Sequence, residues 1–338
     1  MIVGQLVVLT GCLNSVKESK PLGMMYFDFF DTVSNIYSYA GDSQDDFTKN
    51  CEGIANILEE YHHLFDIYHE YSGINNLCTI NKNAGGEPLV VDEKLIEFLL
   101  YTKEMYAITN GEANVMFGSV LKIWHNVREE ASNNPNKVEI PTKDILEEAS
   151  KHTSIDLLEI DEKNKTVRIT DPLASIDVGA IGKGYATEKA AQYLESKNIS
   201  SYVLNIGGNI RIIGTKVDGD GWITGIKNPI DSETYAFYTK ISDISCVTSG
   251  DYERYFMKDN VKYHHIIDKD TLMPANYFSS ITILTKNSGL ADTLSTALFC
   301  MSYEEGLAIV KNLKDVEVLW IYQNGDQIKT DGFIAVER

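Results

Sequence analysis

Apolar residues recur every three or four positions in two long stretches of the chain. Within residues 45–66 this spacing predicts an amphipathic helix, and the apolar positions are Cys51, Ile54, Ile57, Leu58, Tyr61, Leu64 and Phe65. A second series, which follows Asp92, predicts a helix over residues 92–109. Aromatic and β-branched residues dominate residues 25–39, a composition that favours a strand.

The remainder of the chain mixes shorter strand-like and helix-like runs. Strands are predicted at 155–160, at 165–170, at 202–206 and at several places within 210–285, helices at 290–302 and 303–313, and two closing strands after them. The segment 126–151 is polar and is interpreted as a surface excursion. Because strands and helices alternate unevenly, we expect an α+β or mixed α/β fold rather than a doubly wound sheet.

The first residues have a pattern of their own. The stretch "MIVGQLVVLTGC" resembles a bacterial lipoprotein signal that ends in an L-x-G-C lipobox, with Cys12 as the acylated residue. No Lys or Arg precedes the apolar run, which departs from such signals, and a short strand is the alternative. We expect a signal and linker over residues 1–23, one folded unit over 24–338, and a lipid-anchored location outside the cytoplasm.

Charge and cysteine content narrow the classes of partner. The formal net charge is −19, from 49 acidic and 30 basic residues, and a field of that sign repels nucleic acid. An anionic ligand must therefore be held by local donors. The five cysteines form no C-x-x-C pair, which excludes zinc-ribbon and thioredoxin-type motifs.

The segment "SIDVGAIGKGYATEKAAQYL" (175–194) has the composition of a phosphate-binding loop. Ile176 and Val178 suggest the end of a strand, and the glycines permit positive φ and close backbone approach before a helix N-terminus. The spacing fits neither a Walker A loop nor the dinucleotide fingerprint. A glycine turn that merely starts a helix is the alternative.

Three later segments carry further candidate groups. The strand-like run "VLNIGGNIRIIG" (203–214) contains two glycines that suggest a bulge. In "LADTLSTALF" (290–299), Asp292 and Thr296 are four residues apart, so on a helix their oxygens face one way and suit Mg²⁺. A helix-terminal charge and a hydroxyl bonded to the preceding turn are the alternatives for these two residues.

Together these segments resemble the ApbE family of flavin transferases. The match comprises the signature D-x-G-[GA]-x-[AG]-K-G-Y-A at 177–186, the N-x-G-G-[DN] strand and, in order, "GWITGIKNP", "VTSGDYERYF", "YHHIID" and "ADTLSTAL". An earlier segment, "FDIYHEYSGINNLCTIN" (65–81), looks like the family's aromatic-then-Ser motif. The resemblance implies a single catalytic unit with mixed or antiparallel sheets and packed helices.

The family's reaction would then be the function. FAD is split at its pyrophosphate with the help of Mg²⁺, FMN passes to a threonine hydroxyl of an acceptor flavoprotein, and AMP leaves. The acceptor would be a subunit of a membrane electron-transport system. Some members instead hydrolyse FAD to FMN and AMP, and an FAD-binding lipoprotein without catalysis is a further alternative.

The resemblance also implies roles for individual residues. For FAD contact it implies Phe30, Tyr68, Glu112, Ala113, Asn114, Asp177, Lys183 and Ile266. For Mg²⁺ it implies the Ala180 carbonyl with Asp292, Thr296 and the nearby Ser295. Lys183 would stabilise the pyrophosphate, and His265, with Asp268 in the family's H-x-x-D, would act as the base toward the acceptor hydroxyl. A structural histidine is the alternative for His265.

Three motifs depart from the family's pattern. Phe30-Asp31-Thr32 stands where an early Met-Gly-Thr is usual. Glu112, Ala113 and Asn114 stand where Ala-Phe-Asp is usual, and "DKDTLMP" (268–274) lacks the usual proline and glycine after the histidine. These departures leave the FAD contact and the balance between transfer, hydrolysis and binding open.

Overall fold

A computed structural model describes residues 21–134, 137–231 and 233–336 of the chain. The predicted lipidation site Cys12, with most of the predicted signal, lies outside these residues. Eight helices are described: α1 Gln44–Phe65, α2 Leu77–Lys82, α3 Glu93–Ile108, α4 Gly118–Asn133, α5 Lys143–Ser150, α6 Gly182–Ser196, α7 Ser288–Ala297 and α8 Tyr303–Val310.

Fifteen strands are described between and around these helices. They are β1 Leu22–Phe29, β2 Thr32–Ser38, β3 Leu89–Val90, β4 Leu158–Asp161, β5 Thr166–Ile169, β6 Tyr202–Ile206, β7 Asn209–Ile213, β8 Trp222–Lys227, β9 Tyr235–Ile241, β10 Ser245–Gly250, β11 Tyr255–Lys258, β12 Val261–His264, β13 Ser280–Thr285, β14 Glu317–Ile321 and β15 Gln327–Lys329. Short 3₁₀ turns at Ile155–Leu157 and Leu298–Cys300 complete the set.

Eight of the strands form one antiparallel sheet in the order β1-β2-β6-β7-β10-β13-β14-β15. Side chains alternate between its faces, as the period of a strand requires. On β14, Val318 and Trp320 pack with the core around α7 and α8, whereas Leu319 and Ile321 pack with the β8–β9 hairpin. Both faces of the central sheet are therefore covered, and the predicted α+β fold is confirmed.

The predicted strand over residues 25–39 is wrong in one respect, because the segment is a hairpin. Phe30 and Asp31 form its turn with φ of 53° and 51°. Non-glycine residues adopt this left-handed region infrequently, although aspartate does so more often than most, and a Phe-Asp pair is too weak a signal to predict the reversal. The turn places Phe30 beside α1, where its N–H donates to Nδ1 of His62 over 3.3 Å.

The described residues of the polar segment 126–151 lie mostly at the surface, as predicted, but much of the segment is helical. Helix α4 runs through Asn133, and α5 follows within the same segment. Val120, Trp124 and Ala131 are the buried face of α4, but only Ala131 falls inside the polar segment. The predicted helices at 45–66 and 92–109 and the strand at 202–206 are confirmed.

Membrane-spanning helices are absent from the described residues: none of them is both long enough and apolar enough to cross a bilayer.

Candidate active site

A cavity of about 1110 Å³ opens where the β1–β2 turn, the start of α6, α4, α7 and the segment after β12 converge. Its volume slightly exceeds the roughly 300–1,000 Å³ that is usual for small-molecule sites. Most of the predicted site residues line it: Phe30, Tyr68, Glu112, Ala113, Asn114, Asp177, Ala180, Lys183, His265, Ile266, Asp292 and Thr296. Asp268 and Ser295 are not among the lining residues.

The loop before α6 is held by side chains from distant parts of the chain. The Asn81 amide donates to the carbonyl of Ile176 over 2.9 Å and accepts from its N–H over 2.7 Å. The N–H of Asp177 donates to the carbonyl of Val115 over 2.8 Å. The predicted strand end at Ile176 and Val178 is therefore wrong, since side-chain clamps and one isolated bridge at Ser175 replace a strand ladder.

The glycines of this loop act through close packing rather than through positive φ. Gly179, Gly182 and Gly184 all have ordinary backbone angles. A Cβ on Gly184 would lie 2.3 Å from Cβ of Asp292 and 2.4 Å from the Ser288 carbonyl oxygen. Gly184 therefore allows α6 to lie directly against α7.

This close packing brings the Asp292 carboxylate to the first turn of α6. Its Oδ2 accepts from the N–H of Gly184 over 2.8 Å. Backbone N–H groups at a helix N-terminus are donors for anions. The anion seated at Gly184 is thus a side chain of the protein, and an external phosphate must use other donors.

Asp292 is 5% exposed, and burial raises the pKa of its carboxyl group, against the opposing effects of Lys183 and two hydrogen bonds. The second bond comes from the amide nitrogen of Asn209 over 3.4 Å. The Asn209 amide oxygen is itself buried without a partner. Sequence reasoning missed Asn209, although it occupies the last position of the N-x-G-G-[DN] motif.

The hydroxyl groups of α7 extend the same oxygen-rich region. Oγ of Ser249 lies 2.8 Å from Oγ of Ser295 and 3.3 Å from Oγ1 of Thr296. The hydroxyl of Thr293 donates back to the Gly289 carbonyl, whereas that of Thr296 faces Ser249 at the cavity. The alternative of a back-bonded hydroxyl therefore describes Thr293 and not Thr296.

This donor set fits a hard divalent cation. Carboxylate, hydroxyl and carbonyl oxygens are the ligand types that Mg²⁺ takes, with water and phosphate completing its coordination. A buried carboxylate with a raised pKa and an unpartnered amide oxygen both gain from a nearby cation. The described residues hold no group of three or more His, Cys, Asp or Glu for a metal, so Asp292 would be the one charged ligand.

Lys183 projects from the first turn of α6 into the cavity. Its Nζ has one contact, 3.4 Å from the Gly179 carbonyl, and no carboxylate partner within the described ranges. Burial raises the pKa of Asp177, while the Gly179 N–H and the cationic side chains around it, Lys183 among them, oppose that rise. Lys183 is therefore available to an anionic ligand.

His265 lies on the cavity wall directly after β12. Its backbone N–H donates to the backbone carbonyl of Arg254 over 3.1 Å. Nδ1 of its ring is buried and has no hydrogen-bond partner. Burial first, and then the charges of Arg254 and Arg128, lower the pKa of His265 to about 3. The ring is therefore neutral at pH 7, and its unpartnered Nδ1 is available for a hydrogen bond.

The neighbouring residues of the same motif have structural contacts. Nε2 of His264 lies 2.7 Å from the Ala275 carbonyl, in the core. The Asp268 carboxylate accepts from the N–H groups of Asp270 and Thr271 and so closes a turn. Asp268 is 3% exposed and does not reach the cavity, because this turn holds it beneath the wall.

The segment that departs from the family's usual Ala-Phe-Asp lines the cavity as well. Oε1 of Glu112 lies 3.1 Å from Nζ of Lys269, and burial raises the pKa of Glu112 to about 7 against that ion pair. Asn114 donates from its amide to the Thr153 carbonyl and accepts from the N–H of Met116. Its side chain therefore stabilises the loop itself.

An aromatic ring and a glycine turn also line the cavity. The Tyr68 side chain is 54% exposed and follows Asp66, whose carboxylate accepts from the N–H groups of Tyr68 and His69. Gly207 and Gly208 have φ of 56° and 91° and form the β6–β7 hairpin turn. The predicted bulge there is wrong, because both positions have the positive φ of a two-residue turn.

Comparisons with known proteins agree on one family. The ApbE family model matches residues 30–320. An FAD:protein FMN transferase of Treponema pallidum (strain Nichols) is 32% identical, and the match covers 73% of this chain and 70% of the relative. An FAD:protein FMN transferase of Vibrio cholerae is 31% identical, and the match covers 82% of this chain and 80% of the relative. The ApbE protein of Thermotoga maritima superposes with a TM-score of 0.81 at 28% identity, over 93% of this chain and 98% of its own. The flavin transferase ApbE of Vibrio cholerae superposes with a TM-score of 0.77 at 27% identity, over 93% of this chain and 98% of its own.

Proposed function

The chain belongs to the ApbE family, and from this premise we propose that it is an FAD:protein FMN transferase that moves FMN from FAD to a threonine hydroxyl of an acceptor flavoprotein. One observation carries the proposal: a single cavity collects Lys183, Asp292 and His265 from three separate elements. An unpaired cation, an oxygen-rich cation site and a neutral imidazole are the groups that phosphoryl transfer to a hydroxyl requires.

The reaction exchanges one phosphoester bond for another. The acceptor oxygen attacks the phosphorus on the FMN side of the pyrophosphate, and the bond to the bridging oxygen breaks. AMP leaves with that oxygen, and the hydroxyl proton passes to the imidazole of His265. Lys183 sits where it stabilises the negative charge that grows on the leaving phosphate.

Asp292, Thr296 and the Ala180 carbonyl would hold Mg²⁺. Ser295 would support this set indirectly, because its hydroxyl is hydrogen-bonded to Ser249, which also contacts Thr296. When bound, the ion neutralises charge on the phosphoryl oxygens. Asn209 orients the Asp292 carboxylate. Asp268 acts as a positioning residue, since its turn supports the segment that carries His265.

FAD binding is assigned to the rest of the wall. Tyr68 offers an exposed ring for stacking on flavin or adenine. Phe30, Ile266 and the Glu112–Asn114 segment form the surface beside it, and Asp177 is available to sugar hydroxyls.

The test is transfer to a defined acceptor. Purified protein is incubated with FAD, MgCl₂ and an acceptor carrying the target threonine, and flavin fluorescence is read on the denatured acceptor band while released AMP is quantified. The matched control is the acceptor with that threonine changed to valine. Labelling of the threonine form alone supports the proposal. AMP release at the same rate without acceptor would identify a pyrophosphatase, and FAD binding without AMP a binding protein.

We also propose that Cys12 is lipidated, that the protein is anchored outside the cytoplasm, and that its acceptor belongs to a membrane electron-transport system. The lipobox supports the first two statements. A Cys12→Ser variant expressed in a bacterial host should fail to incorporate a labelled fatty acid and should leave the membrane fraction. Unchanged incorporation would reject the assignment.

A further inference from the structure

The cavity has a second group of cationic side chains, separate from Lys183. Arg128 on α4 and Arg254 after β10 both line it. Arg128 is partly buried, and burial, followed by the charge of Arg254, lowers the pKa of its guanidinium. Two guanidinium groups that repel each other in a partly buried position gain stability when an anion lies between them.

No described carboxylate lies within ion-pair distance of either arginine, although the charges of Glu129 and Asp177 act favourably on Arg128. Arg128 donates to Nδ1 of His125 over 3.0 Å, and neither arginine forms an ion pair with an acidic residue there. Glu253, adjacent to Arg254, lies 3.9 Å from Lys227 instead. The chain has 49 acidic residues for 30 basic ones, so unpaired arginines are not explained by a shortage of carboxylates.

The two arginines flank His265. They are the strongest charges acting on its imidazole, and the Arg254 carbonyl accepts its backbone N–H. Asp292, by contrast, interacts with Lys183 and with neither arginine. Lys183 also acts on His265, but less strongly than the two arginines do. Lys183 and Arg128 both act on Asp177, so the arginines and Lys183 belong to one continuous cavity in which the arginines dominate at His265.

We propose that Arg128 and Arg254 bind an acidic side chain of the acceptor protein, next to the hydroxyl that receives FMN. The proposal rests on the proposed transferase function and names the chemistry by which the acceptor is recognised. The proposed function assigns the pyrophosphate of FAD to Lys183 and to the cation site at Asp292, which leaves the arginine pair for a second anion. Guanidinium groups are well suited to carboxylates because their donors match both oxygens.

The arrangement also links recognition to chemistry. In the free protein the two positive charges disfavour protonation of His265. An acceptor carboxylate between them offsets those charges and raises the proton affinity of the imidazole when the hydroxyl is in place. A base works best when its pKa is near the working pH, so the acceptor itself would complete the base.

The experiment compares Arg254→Ala and Arg128→Gln with wild-type protein. Arg254→Lys retains the charge at the same position, and Lys122→Ala removes an exposed charge of α4 that does not line the cavity. The measurements are the KM for the acceptor, kcat and the Kd for FAD from flavin fluorescence quenching. We expect the acceptor KM to rise at least about 10-fold in Arg254→Ala and Arg128→Gln, with the Kd for FAD within about 2-fold, and no change in Lys122→Ala.

A double-mutant cycle identifies the partner group. Acidic residues near the target threonine of the acceptor are changed one at a time to their amides, and the amide that raises KM in wild type should have no further effect in Arg254→Ala. A weaker Kd for FAD without a change in acceptor KM would assign the arginines to FAD phosphates and overturn the proposal. Additive effects throughout the cycle, or normal KM values, would overturn it too. Failure of wild-type protein to label the acceptor would instead reject the transferase function.

Discussion

Replacing Asp292 by asparagine is the sharpest test of the oxygen-rich end of the cavity. The change keeps the side-chain shape and removes one charge. The amide oxygen can still accept from the Gly184 N–H, which in the wild-type protein donates to the Asp292 carboxylate over 2.8 Å. The new NH₂ group can donate to the Asn209 amide oxygen, which has no partner at present, if that amide rotates.

We therefore expect Asp292→Asn to fold with a stability within about 1 kcal/mol of wild type in buffer with EDTA. Mg²⁺ should separate the two proteins. A ligand at 100 times its Kd stabilises the folded state by about 2.7 kcal/mol. Since 1 kcal/mol shifts Tm by about 2–4 °C in chains of 150–250 residues, 2.7 kcal/mol corresponds to roughly 5–11 °C there and to less in this longer chain. Wild-type Tm should therefore rise by several degrees on saturation, while that of the variant stays constant.

The assay is a thermal melt of EDTA-treated protein across a MgCl₂ titration. Thr296→Val and Thr293→Val provide a matched pair on the same helix, since only Thr296 faces the cavity. We expect a weaker Mg²⁺ response in Thr296→Val and a normal one in Thr293→Val. The reasoning is refuted if wild-type Tm does not respond to Mg²⁺, or if the Asp292→Asn protein responds as wild type does.

Three further results are expected. Lys183→Met should lower kcat by about 10²–10³ with only a small loss of Tm, because Nζ makes a single 3.4 Å hydrogen bond and acts on Asp177 and Asp292 without an ion pair; a large loss of Tm would contradict this. Glu112 has a pKa raised from 4.5 to about 7, so its contribution to stability is lost as pH rises through 7. Between pH 5 and 8 the unfolding free energy of Glu112→Gln, measured by urea titration, should therefore fall less than that of wild type, by on the order of 2–3 kcal/mol. If the unfolding free energies of the two proteins change in parallel with pH, the raised pKa of Glu112 is excluded. Gly184→Ala should destabilise the protein by about 3 kcal/mol or more, since its Cβ would lie 2.3 Å from Cβ of Asp292, whereas Gly179→Ala, whose nearest contact is 3.2 Å away, should melt close to wild type.

Local patterns in the sequence determined the long helices and much of the chemistry. The periodic apolar positions of α1 and α3 were sufficient to predict both, because an amphipathic helix repeats its buried face in the sequence itself. The pair Asp292 and Thr296 could likewise be placed on one helical face from its spacing. The family resemblance supplied the reaction, which no local pattern contains.

Turns and clamps required the tertiary structure. The reversal at Phe30 and Asp31 uses left-handed backbone angles, which phenylalanine rarely adopts and which aspartate adopts too seldom to predict a turn. The loop before Asp177 is fixed by Asn81, nearly a hundred residues earlier in the chain. An interaction between two distant segments produces no periodic pattern in the sequence of either segment. Sequence reasoning therefore assigned the end of a strand at Ile176 and Val178, where side chains hold an irregular loop.

The site shows the same division. The sequence determined which groups are present: a lysine at the start of a helix, an aspartate and a threonine one turn apart, and a histidine after a strand. Only the tertiary structure decided that Gly184 seats the Asp292 carboxylate on α6, and that two arginines from separate elements lie beside His265. Residue types and short spacings are local properties of the chain, whereas the distance between charges from different elements exists only once the chain has folded.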